Sequence, residues 1–153
     1  MSEPRTKLTV HKIATFHLPI IIYCIVGLGW LIQGVRYISA ETLMPYHMAV
    51  IEIPWQHLDP GYQKLFLGLL KGFGVGSFCV GATILLVTLI PFRKGSKWAR
   101  WALPAIAATY SGALIYVTRF ALLPGAIPIL VTATLLGLVL IAAAGSYFMR
   151  DTD

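Results

Sequence analysis

The sequence predicts an all-α fold: an integral membrane four-helix bundle with a short polar outer segment between its first and second long helices. Three observations carry this. The chain is 58% hydrophobic and only 12% charged, about half the charged share of an ordinary soluble domain. Its mean hydropathy is +0.78. Its apolar residues gather into four runs, each close to the roughly 20 residues that a helix needs to cross a bilayer. At 153 residues, the whole chain reads as a single transmembrane domain, 1–153.

The first span is placed at Leu18–Ile38. It follows a basic N-terminal stretch, MSEPRTKLTVHK. No small-residue cleavage site follows its apolar run, so the run reads as a retained helix rather than a removed signal. The second span is Leu65–Ile90, the third Ala99–Thr118 and the fourth Ile127–Met149. None alternates with the period of two that a barrel strand requires. In lipid the backbone must satisfy its own hydrogen bonds, so each run is expected as a continuous helix. The short basic link Pro91–Trp98 and the apolar turn Phe120–Ala126 favour antiparallel neighbours for the last three spans.

Small residues recur four apart. Gly68, Gly72 and Gly76 lie on the second span, with Ser77 and Gly81 as further small positions, Ala108 and Gly112 on the third, and Ala133 and Gly137 on the fourth. Such stripes let helices approach closely. They are expected to close the bundle within one chain, with homodimerisation as the other use.

Lysine and arginine set the orientation. One side of the membrane collects Arg5, Lys7, Lys12, Arg93, Lys94, Lys97, Arg100 and Arg150. The other collects Arg36, Lys64 and Arg119, with Lys71 inside the adjoining span. That bias predicts both termini in the cytoplasm and the stretch Met44–Gly61 on the outer side, which in a bacterium is the periplasm. Trp98 and Trp101 would then mark the inner interface and Trp55 the outer one. The net charge of +6 is absorbed by these flanks. No basic aromatic platform is present, and nucleic acid is not expected as a partner. Cys24 and Cys79 lie inside apolar runs, outside any paired-cysteine motif, and read as small hydrophobes.

The outer segment, MPYHMAVIEIPWQHLDPG, Met44–Gly61, concentrates polarity. It holds His47, Glu52, His57 and Asp59, with Glu41 just upstream. Between Pro45 and Pro54 there is room for about two helical turns. Asp59-Pro60-Gly61 reads as a turn into the second span. His47, Glu52 and His57 have the types of metal ligands, but steps of five do not place them on one helical face, and Pro54 interrupts them. The histidines lie at opposite membrane faces, so one haem cannot join them across about 30 Å of hydrocarbon. No cofactor is expected. No GxSxG, HExxH, P-loop or dinucleotide motif appears.

Lys71 is an ionisable side chain one to two turns inside the second span. Such a group is costly unless it has a partner or a function, although at this depth it can snorkel to the headgroups. The outer end therefore holds a candidate ligand-binding set: Lys71, Arg36, Arg119, His47, Glu52, His57 and Tyr116. The segment is expected to fold over the helix ends and bring Glu41, Glu52 or Asp59 near Lys71, Arg36 or Arg119. The leading functional expectation is a small membrane protein binding a lipid-like ligand or a partner membrane protein. Membrane lipids, a second copy or another membrane subunit are its candidate partners. The alternative is a membrane enzyme acting on a lipid-soluble substrate with His47, Glu52 or His57 as acid or base.

The four-span layout, the long first outer connection, the glycine-rich LGLLKGFGVG, the Pro45-Tyr46-His47 segment and IPFRKGSKWARWA together resemble small DoxX-like four-helix bacterial inner-membrane proteins. The resemblance covers most of the chain. It implies the same helical fold and brings no catalytic residues with it.

Overall fold

The computed structural model describes the backbone of residues 4–120 and 127–148, and side-chain surroundings for 17–119 and 132–144. The turn expected at Phe120–Ala126, Arg150, and the side chains of Arg5, Lys7, His11 and Lys12 lie outside the described residues. Among the described residues all regular structure is helical. Helix α1 runs Pro4–Ile38, α2 Pro45–Ile51, α3 Pro60–Val87, α4 Ala99–Phe120 and α5 Ile127–Phe148. A 3₁₀ turn at Trp55–His57 links α2 to α3, and a π-helical turn at Thr88–Phe92 continues α3.

Among the described residues, three stretches are long and apolar enough to cross a membrane: His17–Ile38, Pro60–Phe92 and Ala99–Arg119. Within α5, Thr132–Ala144 is the apolar stretch among residues with described side chains. Large apolar side chains cover the outside, as on α1, where Ile21, Ile25, Leu28, Ile32 and Val35 are all exposed. Water would penalise such a surface and lipid does not. The chain is a multi-pass integral membrane protein.

The long helices form a ring. α1 packs on α3 and α5, and α4 packs on α5 and α3. The core between them holds Tyr23, Val26 and Trp30 from α1, Ile84 from α3, Leu103 and Ala107 from α4, and Val139 and Ala142 from α5. Phe92, on the π turn, reaches the same core and meets the Tyr23 ring edge-on at 5.7 Å. Pro91 explains that turn. Proline has no N–H to donate and its ring crowds the preceding helical carbonyl. The widened turn relieves the crowding, with Arg93 N–H donating to Thr88 O at 3.1 Å. Gly95, at φ +79°, then reverses the chain in a conformation that glycine adopts without steric cost.

The close approach between α1 and α3 uses Gly81 of the small positions expected on the second span, but not Gly68 or Gly72. A Cβ built on Gly68 or Gly72 would meet nothing within 4 Å, and the same holds for Gly112 and Gly137. The contact is made by Gly27 and Gly34 on α1 and Gly74 and Gly81 on α3. A Cβ on Gly34 would lie 2.5 Å from Phe78 N, and one on Gly81 would lie 2.6 Å from Leu31 N. Gly74 faces Tyr37 and Ile38, while Gly27 faces Leu85. The numbers rise on one helix as they fall on the other, so the pair is antiparallel. Each helix carries its two glycines seven apart, nearly two full turns, which keeps both on one stripe.

The segment between α1 and α3 packs at one end of the bundle. Pro45 opens α2 at its first turn, where a missing N–H costs nothing, and Glu52 closes it at φ 58°. Asp59 is the N-cap of α3 rather than a free turn residue. Its carboxylate accepts the Gly61 N–H at 2.7 Å, and Pro60 occupies the first helical position. Gln63 secures the linker from α3, its Nε2 donating to Trp55 O at 2.7 Å and to Leu58 O at 3.1 Å.

Candidate functional site

A half-open cavity of about 510 Å³ opens between the C-terminal half of α1, the segment α2, the start of α3, the end of α4 and the start of α5. This size falls within the range of small-molecule pockets, roughly 300–1,000 Å³. Its walls are mostly apolar. Leu70 and Phe73 come from α3, Leu114 and Val117 from α4, and Leu135 from α5. Polar side chains enter chiefly from α1 and α2: Gln33, Arg36, Tyr37, Tyr46 and His47.

The helices place these groups by register. On α1, Trp30 and Tyr37 are seven residues apart and share the inward stripe. Both are buried, at 2% and 6% exposure. Gly34 sits between them on the same stripe, where α3 approaches closely. Tyr37 is therefore held at the edge of the α1–α3 contact, packed on Phe73 with ring centres 5.8 Å apart. α2 lays Tyr46 and His47 over the same edge. The Tyr37 and Tyr46 hydroxyls hydrogen-bond each other, and the Tyr46 and His47 rings lie 4.3 Å apart.

From there an aromatic wall descends to the bundle centre. Phe73 stacks near Tyr110 at 6.4 Å, and Tyr110 meets the face or edge of Trp30 at 5.0 Å and 89°. Ser77 fixes Tyr110. Its hydroxyl lies 2.6 Å from the Tyr110 hydroxyl and donates to Phe73 O at 3.1 Å. Since a serine carries one O–H, the Tyr110 hydroxyl is then the donor to Ser77 Oγ. Edge-to-face aromatic pairs contribute about 0.5–1.5 kcal/mol beyond their buried area.

Two polar atoms of the lining residues have no hydrogen-bond partner and no access to solvent: Trp30 Nε1 and His47 Nδ1. Burial holds His47 below the ordinary histidine pKa, which keeps its imidazole neutral at neutral pH. A neutral imidazole has one donor and one acceptor nitrogen and can exchange a proton at either.

The structure brings together only part of the sequence-predicted set. Arg36 and His47 line the cavity. Glu52 and His57 are exposed on the linker and do not line it. Tyr116 is 71% exposed on the outer face of α4. Lys71 and Arg119 are also exposed and outside the cavity wall. The segment does fold against the helix ends, but the ion pair expected with it is not formed among the described residues. Asp59 caps α3 instead, and Glu52 ends α2. No group of three potential metal ligands occurs among the described residues.

Gln33, Tyr37, Tyr46 and Trp30 were not singled out by sequence reasoning. The available signal was modest: a carboxamide at Gln33 inside a span, and Tyr46 beside His47. Comparison with protein-family models, curated proteins and solved structures finds no match to this chain.

Proposed function

We propose that this membrane protein binds a lipid-soluble small molecule in the cavity between α1 and α2. The observation that carries the reading is the cavity itself: about 510 Å³, half open and apolar, with its hydrogen-bonding side chains converging at one end. A ligand with an apolar body and a polar end matches that division, because burying the body in a preformed apolar site costs little ordering. Gly29 provides the test. It lines the cavity, and a Cβ there would meet only ordinary contacts, at 3.7 Å from Leu135 Cδ2. Gly29→Leu therefore starts from a Cβ that the helices accept, and its further carbons add bulk at the cavity wall. Native mass spectrometry of the purified protein should find a retained small molecule that is lost in Gly29→Leu, with helicity unchanged. Equal retention by both proteins, or none by the wild type, overturns the reading.

We place the α2 end on the outer side of a bacterial inner membrane, with both termini cytoplasmic and a kinship to DoxX-like proteins. The uneven distribution of lysine and arginine supports the orientation, and the four-span layout with the glycine-rich LGLLKGFGVG supports the kinship and, through it, the bacterial setting. Cysteines introduced at Ser2 and at Gln56, after Cys24 and Cys79 are replaced by alanine, should show opposite labelling in intact cells. Equal external labelling refutes this orientation.

A further inference from the structure

We infer that the cavity selects an amphiphile with an anionic head, a carboxylate or phosphate monoester on an apolar chain, and that Arg36 binds that head. The inference rests on the cavity being a ligand site and adds the chemistry of the occupant.

Arg36 is the one permanently charged side chain among the described lining residues, and no carboxylate joins it there. The other described cations of this end, Lys64, Lys71 and Arg119, are exposed, as Arg36 is, but line nothing in the cavity. A guanidinium presents a planar fork of donors that matches a carboxylate or phosphate edge. Its neighbours extend the match. The Tyr37 and Tyr46 hydroxyls bond each other. One O–H is used between them, whichever donates, and the second remains for another acceptor. Gln33 lies one turn before Tyr37 on α1 and adds a carboxamide to the same wall. A cation, a spare hydroxyl proton and an amide therefore converge where the cavity meets the α2 boundary.

Helix dipoles do not decide the matter. α1 and α4 end at this face, while α3 and α5 begin here, so their partial charges oppose one another. The local sign within the cavity is set by Arg36. Beyond it the lining along α1 runs back from Tyr37 to Gly29, eight residues or about 12 Å of helix. Leu70, Phe73, Leu114 and Leu135 close around that depth. They offer an apolar chain the environment it has in lipid.

A neutral ligand would use the apolar depth and leave Arg36 idle. An anionic one uses both. Dodecanoate, dodecyl phosphate and 1-dodecanol separate these cases on one chain length. A phosphatidic acid nanodisc distinguishes a two-chain membrane lipid from a free single-chain amphiphile. The full-length protein in non-ionic detergent or in zwitterionic nanodiscs would be titrated calorimetrically. Both anionic single-chain probes should bind at least tenfold more tightly than dodecanol. Arg36→Gln should erase that preference and leave dodecanol affinity unchanged. Arg36→Lys should restore part of it, favouring phosphate over carboxylate. Lys64→Gln removes the same unit of charge from the same end, off the cavity, and should retain the full preference.

Equal affinity for dodecanol and dodecanoate overturns the inference and leaves the cavity reading intact. Persistence of the anion preference in Arg36→Gln, or its loss in Lys64→Gln, also overturns it, since long-range charge would then be the cause. Binding of every probe that is unaffected by Gly29→Leu defeats the cavity reading and the inference together. If phosphatidic acid competes with dodecyl phosphate in the wild type but not in Arg36→Gln, the source of the head is a membrane lipid. If it does not compete, the source is a free amphiphile.

Discussion

Replacing Gly34 by alanine adds a single methyl group at the tightest point of the α1–α3 contact. The new Cβ would lie 2.5 Å from Phe78 N and 2.7 Å from Phe78 Cα. Non-bonded carbon atoms prefer about 3.5–4.0 Å. The obstacle is backbone, which cannot rotate away as a side-chain tip can. The helices must therefore part locally by about 1 Å, and a gap of that size forfeits roughly a quarter to a half of the dispersion energy of the contacts it opens. Overpacking of this kind costs about 1–3 kcal/mol. Alanine recovers up to about 1 kcal/mol through its better helix propensity. With a backbone clash the upper part of the range applies, and the net loss is about 2 kcal/mol. Gly72→Ala adds the same methyl group to the same pair of helices, but its Cβ meets nothing within 4 Å. It should be neutral or stabilise by up to about 1 kcal/mol. Unfolding in mixed micelles of increasing SDS fraction, followed by circular dichroism, measures both. If the two variants unfold within about 0.5 kcal/mol of each other, a difference typical of surface substitutions, the argument from close approach is wrong.

Asp59→Ala removes the carboxylate that accepts the Gly61 N–H and should cost about 1 kcal/mol. The loss should show as faster hydrogen exchange in the first turns of α3 and no change at the far end of the bundle. Ser77→Ala takes from Tyr110 its buried hydroxyl partner and should cost about 1–3 kcal/mol, measured by the same unfolding titration; an unchanged midpoint would mean that Tyr110 finds another acceptor. His47 has its pKa lowered by burial, so the unfolded or undocked state binds more protons than the docked one between the folded value and the ordinary histidine value of 6.5. Docking of α2 should be complete above that upper limit and weaken as pH falls below it. Exchange protection of α2 amides checks this, and His47→Gln should flatten the pH response. Lys71→Met should leave ligand retention unchanged, because Lys71 does not line the cavity; lost retention by native mass spectrometry would contradict the placement.

The apolar run lengths determined the helix class and the approximate positions of the spans, because membrane thickness imposes a length and lipid imposes internal hydrogen bonding. The expected span Leu18–Ile38 lies within α1, and the expected third span begins at Ala99, where α4 begins. Prolines and polar residues likewise marked out Met44–Gly61 as a separate segment, and the two turns anticipated after Pro45 are present as α2. What the sequence could not supply was the rotation of each helix. In a soluble bundle the apolar stripe points inward and reveals the core. Here Ile32 faces outward and Val26 inward with equal chemistry, since lipid is as apolar as the bundle interior. Gly81 stood among the small positions of the second span, but only packing decided that it and Gly74 meet α1 at Gly27 and Gly34 while Gly68 and Gly72 stay open. The same rotation turns Arg36 into the cavity wall and leaves Lys71 outside it, a choice fixed by steric fit between neighbouring helices rather than by hydrophobicity along any one of them.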